Sequence, residues 1–154
     1  MNLPLERAYK LLMGEYGPQG WWPLFDLRQP DSQELDLQRG YHPGNYHYPQ
    51  SEKQCFEIAI GSILTQNTSW VQVERALENL HQKGWLTPEK IVKADESSLK
   101  QAVRPAGYYN QKAERLQIIA RFFLERKGRR PSLSPPERSE LLALKGVGPE
   151  TADS

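Results

Sequence analysis

Hydrophobic positions along this 154-residue chain recur at helical spacing, and no strand-like alternation runs long enough to trust. Leu5, Ala8, Tyr9 and Leu12 make one stripe of a short helix over residues 5–13, ended by Gly14 and Gly17-Pro18. Trp21-Trp22-Pro23 reads as a loop anchored by its indoles. Residues 24–50 hold no sustained period. With Pro30, Pro43, Pro49 and a Tyr/His-rich run from Tyr41 to Tyr48, they read as an irregular surface segment.

From Ser51 the pattern sharpens. Ser51 with Gln54 makes a capping box, and Phe56, Ile60, Ile63 and Leu64 follow at helical spacing. Trp70, Val73, Leu77 and Leu80 predict a second helix running to Lys83, with Gly84 as its stop. Thr87-Pro88 opens a third helix, with proline at its first position. Asp95 caps a fourth carrying Leu99, Ala102 and Val103, which Gly107 ends. Ala113, Leu116, Ala120 and Phe123 line a long fifth helix over residues 110–126, closed by Gly128. Ser134 and Glu137 predict a capping box for a sixth, which carries Leu141, Leu142 and Leu144. The fold class is all-α, a multi-helix bundle with short connections. Two parts are expected: residues 1–50, and a helical domain over 51–154.

The segment Leu144-Lys145-Gly146-Val147-Gly148-Pro149-Glu150-Thr151-Ala152 ends one helix, turns on Gly-Val-Gly, and places proline where the next begins. Glycines permit positive φ and close approach, and amides at such a turn make a concavity for an anion. A hairpin of this kind holds a DNA phosphate through backbone donors, without reading sequence. A plain tight turn between packed helices is the competing reading, and these residues favour the DNA grip.

Charge changes this picture only in its distribution. Net charge is +1, but residues 1–98 carry −4 and residues 99–131 carry +7. The basic block holds Lys100, Arg104, Lys112, Arg115, Arg121, Arg126, Lys127, Arg129 and Arg130. It suits a polyanion, and equally a solvated helix face whose long stems cover apolar surface; charge alone leaves both open. No run of 18 apolar residues occurs, and the N-terminus has no secretory pattern. Cys55 is the single cysteine, too few for a disulfide framework or a metal cluster, and reads as a small buried hydrophobe. The chain is therefore expected in the cytoplasm, with the nucleoid if bacterial. His42 and His47 have no carboxylate or thiol near them in sequence, so packing is the stronger reading over a metal site.

Three segments together resemble the helix-hairpin-helix DNA glycosylases of the endonuclease III type. They are Ile63-Leu64-Thr65-Gln66-Asn67-Thr68, the Gly-x-Tyr-Asn-x-Lys-Ala stretch within Ala106–Ala113, and the hairpin at 144–149, in family order. The resemblance covers about residues 51–154; the N-terminal helix matches more loosely, and residues 24–50 are not accounted for. It implies base-excision repair of double-stranded DNA, in which a damaged nucleotide is flipped out of the helix. It makes Gln66 the candidate side chain to fill the gap, with Asn67 and Thr68 shaping the loop. Lys145, Gly146, Val147, Gly148 and Thr151 become the hairpin's DNA contacts. A monomer and no membrane partner are implied.

The chain departs from the pattern at Glu150, where bifunctional members carry the lysine that attacks the sugar. A carboxylate forms no imine, so a monofunctional glycosylase using water is expected. Leu-Thr-Gln-Asn-Thr-Ser-Trp and Gly-Pro-Glu-Thr-Ala-Asp-Ser resemble most the branch acting on alkylated purines such as 3-methyladenine. The family's catalytic aspartate, and the four cysteines that hold a [4Fe–4S] cluster in many relatives, lie beyond the hairpin. On this reading the chain is truncated, with no catalytic residue or cofactor of its own, and a cluster belongs only to a full-length form. The alternative is a non-catalytic DNA-binding module or an inactive remnant.

Overall fold

The computed structural model describes residues 4–17, 21–127 and 136–153. Among these residues the chain is all-α, with no strand. It divides into two compact units, residues 1–48 and 49–154.

The first unit begins with α1 (Leu5–Tyr16). This helix runs through Gly14 and stops at Gly17, whose φ of +63° ends the helical path. An isolated glycine weakens a helix without breaking it, so the stop predicted at Gly14 falls three residues later. Residues 24–50 are less irregular than their sequence suggests. They contain a 3-10 turn, Phe25–Leu27, and α2 (Leu35–Arg39). Leu24, fully buried, donates its N–H to the Gly40 carbonyl at 3.0 Å. The Arg28 guanidinium lies 3.7 Å from the centre of the Phe25 ring, a cation–π contact that helps close this small knot. Both ring nitrogens of His42 face carbonyl oxygens, those of Asn45 and Trp22, each at 3.0 Å. The ring is thereby used as a structural tie.

The second unit is the helical bundle: α3 (Glu52–Leu64), α4 (Trp70–Gln82), α5 (Pro88–Lys93), α6 (Glu96–Val103), α7 (Tyr109–Lys127), α8 (Arg138–Leu142) and α9 (Pro149–Ala152). Ser51 Oγ accepts from the Gln54 N–H at 3.2 Å, as the capping box predicts. The reciprocal bond is displaced by one residue: Gln54 Oε1 accepts from the Gln50 N–H at 2.6 Å. Asp95 caps α6 through the Ser98 N–H at 3.0 Å.

The predicted start of the sixth helix is corrected. Ser134 and Gly128 lie outside the described residues, and the helix starts at Arg138 with Glu137 as N-cap. Its capping box pairs Glu137 with Glu140, whose carboxylate accepts from the Glu137 N–H at 2.9 Å. The Pro136–Glu137 junction holds the entering chain extended, and the acidic side chains complement the helix start.

Helix α7 packs against α3, α5 and α6, while α4 packs on α6 and on a 3-10 turn, Arg104–Ala106. Phe56, Ile60, Leu80, Leu99 and Leu116 are wholly buried between them. Phe56 meets Phe123 edge to face at 5.2 Å. This core sets the α3–α4 connection beside the start of α7 and beside α9. No described helix is long and apolar enough to cross a membrane.

Candidate nucleic-acid interface

Three short segments meet at one end of the bundle: the α3–α4 loop (65–69), the turn before α7 (106–108), and the α8–α9 hairpin (143–149). Each is shaped locally. Thr65 caps α3, its hydroxyl donating to the Ser62 carbonyl at 2.8 Å. Asn67 follows with φ of +52°, a left-handed conformation that asparagine tolerates better than most residues, and its side chain is exposed. Gly107 and Tyr108 also take positive φ, +65° and +45°, and Tyr108 is 66 % exposed beside the loop.

In the hairpin, the Val147 N–H donates to the Leu144 carbonyl at 3.1 Å, closing the turn. Gly146 has φ of +88°, and a Cβ there would sit 2.6 Å from Arg115 Cδ. The backbone favours glycine here, and a methyl would also displace the Arg115 side chain. Gly148 differs: its backbone is extended, at φ −94° and ψ 177°, and an added Cβ would meet nothing within 4 Å. One glycine serves the turn; the other leaves the outer surface open. The first turn of α9 brings amides that have no partner within the helix.

Gln66 joins the loop to the hairpin. Its Nε2 donates to the Gly146 carbonyl at 3.0 Å and to Thr151 Oγ1 at 2.9 Å. Its Oε1 accepts from Arg115 Nη1. The amide expected to fill a gap in DNA is turned inward and used on both its nitrogen and its oxygen. The exposed residues of the loop are Asn67 and Ser69, and of these Asn67 carries an amide. Thr68 is also turned inward, its hydroxyl within reach of the carbonyls of Gln66 and Ala106.

Val147 is 9 % exposed and lines the apolar hollow beneath the hairpin. Lys145 is exposed and pairs with Glu114 at 2.6 Å, a bond that holds the Glu114 carboxyl below the usual range. Glu150 is exposed on the first turn of α9. Asp153 is held in a two-point ion pair by Arg138, at 2.6 and 3.1 Å, and this partner lowers its pKa.

The sequence placed Lys112 in the basic block and in the Gly-x-Tyr-Asn-x-Lys-Ala stretch, and Arg115 in the basic block, without assigning either a role. Lys112 is 1 % exposed, and burial, followed by the nearby Arg115 charge, lowers its pKa to about 8. The pattern held a signal: Lys112, Leu116 and Ile119 share helical spacing, which puts the lysine on the buried stripe. The block as a whole is divided among several surfaces. Lys100 pairs with Glu96 at 2.5 Å, and Lys127 with Glu89 at 3.1 Å. Arg129 and Arg130 lie outside the described residues.

Cys55 is half-buried, lining an apolar hollow of about 210 Å³ with Ile58, Ile119, Leu141 and Val147. Burial raises its thiol pKa, the opposite of what a reactive or metal-binding thiolate needs. One such thiol does not fit a [4Fe–4S] cluster, which takes about four thiolates. Among the described residues no group of three or more His, Cys, Asp or Glu side chains is placed to hold a metal ion.

A glycine hairpin is thus locked by Gln66 to a loop that offers an exposed asparagine. The chain belongs to the HhH-GPD superfamily of base excision DNA repair proteins, whose family model matches residues 60–148. It is 37 % identical over 154 residues to a Methanocaldococcus jannaschii protein that carries a DNA repair glycosylase name, covering 96 % of this chain and 57 % of that relative. Among solved structures it resembles H. pylori 3-methyladenine DNA glycosylase bound to 1,N6-ethenoadenine. That match has a TM-score of 0.58 and 35 % identity, over 69 % of this chain and 52 % of the other. It also resembles endonuclease III in a trapped covalent complex with DNA, with a TM-score of 0.56 and 28 % identity, over 64 % of this chain and 44 % of the other. The chain spans about half the length of the curated relatives it matches.

Proposed function

We propose that this protein grips damaged duplex DNA as part of a monofunctional base-excision glycosylase, with alkylated bases as its substrate class. The observation that carries the reading is the bridge from Gln66 to Gly146 and Thr151, which makes a phosphate-gripping hairpin and a DNA-entering loop one unit. The amides of Gly146 and Gly148 and those at the start of α9 hold a backbone phosphate, and Lys145 adds a cation beside them. Asn67 enters the gap left by the flipped nucleotide. Its amide offers donors and an acceptor to the widowed base, the role the sequence had suggested for Gln66. Glu150, in place of a nucleophilic lysine, leaves water as the attacking group, and no catalytic group is drawn from residues 1–154. The kinship with a 3-methyladenine glycosylase supports alkylated bases as the substrate class.

The test is incubation of a full-length form, carrying the segment that follows the hairpin in the family, with alkylated duplex DNA. Release of free base with an unbroken abasic site, and no adduct trapped by borohydride, is the expected outcome. Binding without base release would make the protein a non-catalytic helix-hairpin-helix DNA binder. Near-zero, salt-independent affinity for duplex DNA overturns both readings.

A further inference from the structure

Lys112 carries a charge into the interior with no carboxylate to pair it among the described residues. A buried charge is tolerated only where hydrogen bonds replace its water. Its ammonium has three N–H groups and three partners from three segments. Nζ donates to the Leu64 carbonyl at 2.8 Å, to Thr68 Oγ1 at 2.6 Å and to the Ala106 carbonyl at 2.7 Å. Leu64 ends α3 and Ala106 ends the 3-10 turn, both places where carbonyls lack helical partners and a cation is favoured. Arg115, one turn further along α7, is the charged neighbour that acts on it.

The spacing along the loop gives this cluster its consequence. Between Leu64 and Thr68 lie only Thr65, Gln66 and Asn67. One nitrogen atom therefore ties down both ends of the segment that carries Gln66 to the hairpin and Asn67 to the outside. We propose that Lys112 is the positioning residue of this loop, holding Asn67 in its left-handed, outward-facing conformation so that the loop enters DNA only where a nucleotide can leave. It touches neither DNA nor base. Lys112 makes no bond to the hairpin itself and reaches it only through the Gln66 bridge, so its loss should weaken damage-dependent affinity more than general affinity. This rests on the DNA-binding reading above.

The experiment compares binding of the full chain to an undamaged duplex and to one carrying a stable abasic-site analogue. Lys112→Met removes all three bonds; Thr68→Val removes one of them together with the hydroxyl's own contacts to the Gln66 and Ala106 carbonyls, and carries the test should Lys112→Met lose helical content. Both variants are expected to lose about ten-fold in affinity for the abasic duplex and to keep that for the undamaged duplex within about two-fold. In an Asn67→Ala background the Lys112→Met loss should largely vanish, since the positioned side chain is already gone. Equal weakening on both duplexes, or full additivity with Asn67→Ala, overturns the positioning role. A wild-type protein that binds neither duplex overturns the DNA reading itself, a distinguishable failure.

Discussion

Gln66 donates from its amide nitrogen to the carbonyl oxygen of Gly146, eighty positions along the chain, at 3.0 Å. The bond connects the loop after α3 with the turn before α9. Neither segment has a hydrophobic core of its own, so their mutual geometry depends on such polar ties and on Val147 buried beneath. Gln66→Ala should cost about 1–3 kcal/mol of stability, because Arg115 and the Gly146 carbonyl lose their partner together. Denaturant unfolding measures the loss. Hydrogen exchange should show its local part as faster exchange across residues 144–149, and unchanged exchange there would count against the bridge.

The two hairpin glycines should separate. Gly146→Ala meets Arg115 and a backbone φ of +88°, so it should destabilise the fold by about 1–3 kcal/mol. Gly148→Ala has an ordinary backbone and open space, so its unfolding midpoint should match the wild type. Its methyl stands where a phosphate would approach, and duplex affinity should fall all the same. A Gly148→Ala protein with wild-type affinity removes the phosphate grip from this turn.

Lys145 sits exposed beside that turn. If it meets a phosphate, Lys145→Gln should reduce the slope of log affinity against log salt by about one. Its partner Glu114 should act oppositely: Glu114→Gln frees the lysine and raises affinity at low salt. Duplex binding measured over a salt series distinguishes these from a general loss of fold.

Lys112 predicts a pH dependence with a definite sign. Its folded pKa, about 8, lies below the unfolded value of 10.5. Between these values the unfolded chain binds a proton that the folded chain has released. Stability therefore rises with pH across that window, and the full cost of the buried charge applies below it. Relative to Lys112→Met, the wild type should gain up to about 1.4 kcal/mol per pH unit above pH ~8. Paired unfolding curves at neutral and alkaline pH read the difference; a flat difference assigns Lys112 an ordinary lysine pKa.

Most of the helices were legible because their signals are local. Asp95 caps the helix it was expected to cap, and Phe56, Ile60, Leu80, Leu99 and Leu116 are buried as their spacing implies. The α8 start was misplaced because two acidic residues and two prolines offer competing N-cap registers, and the one adopted pairs Glu137 with Glu140. In residues 24–50 the ordering contacts join positions distant in sequence, such as His42 with Trp22, and leave no periodic trace.

The sequence by itself determined the all-α class, the helix order and the Gly-Val-Gly turn. These follow from period, capping and residue chemistry, which act over a few residues. Only the tertiary structure decided that Gln66 faces inward and Asn67 outward, and that Lys112 is buried rather than offered to a polyanion. An amide and an ammonium read identically in a sequence whether water or protein satisfies them. Which one does depends on acceptors that folding brings from elsewhere in the chain: Gly146 for Gln66, and Leu64 with Ala106 for Lys112.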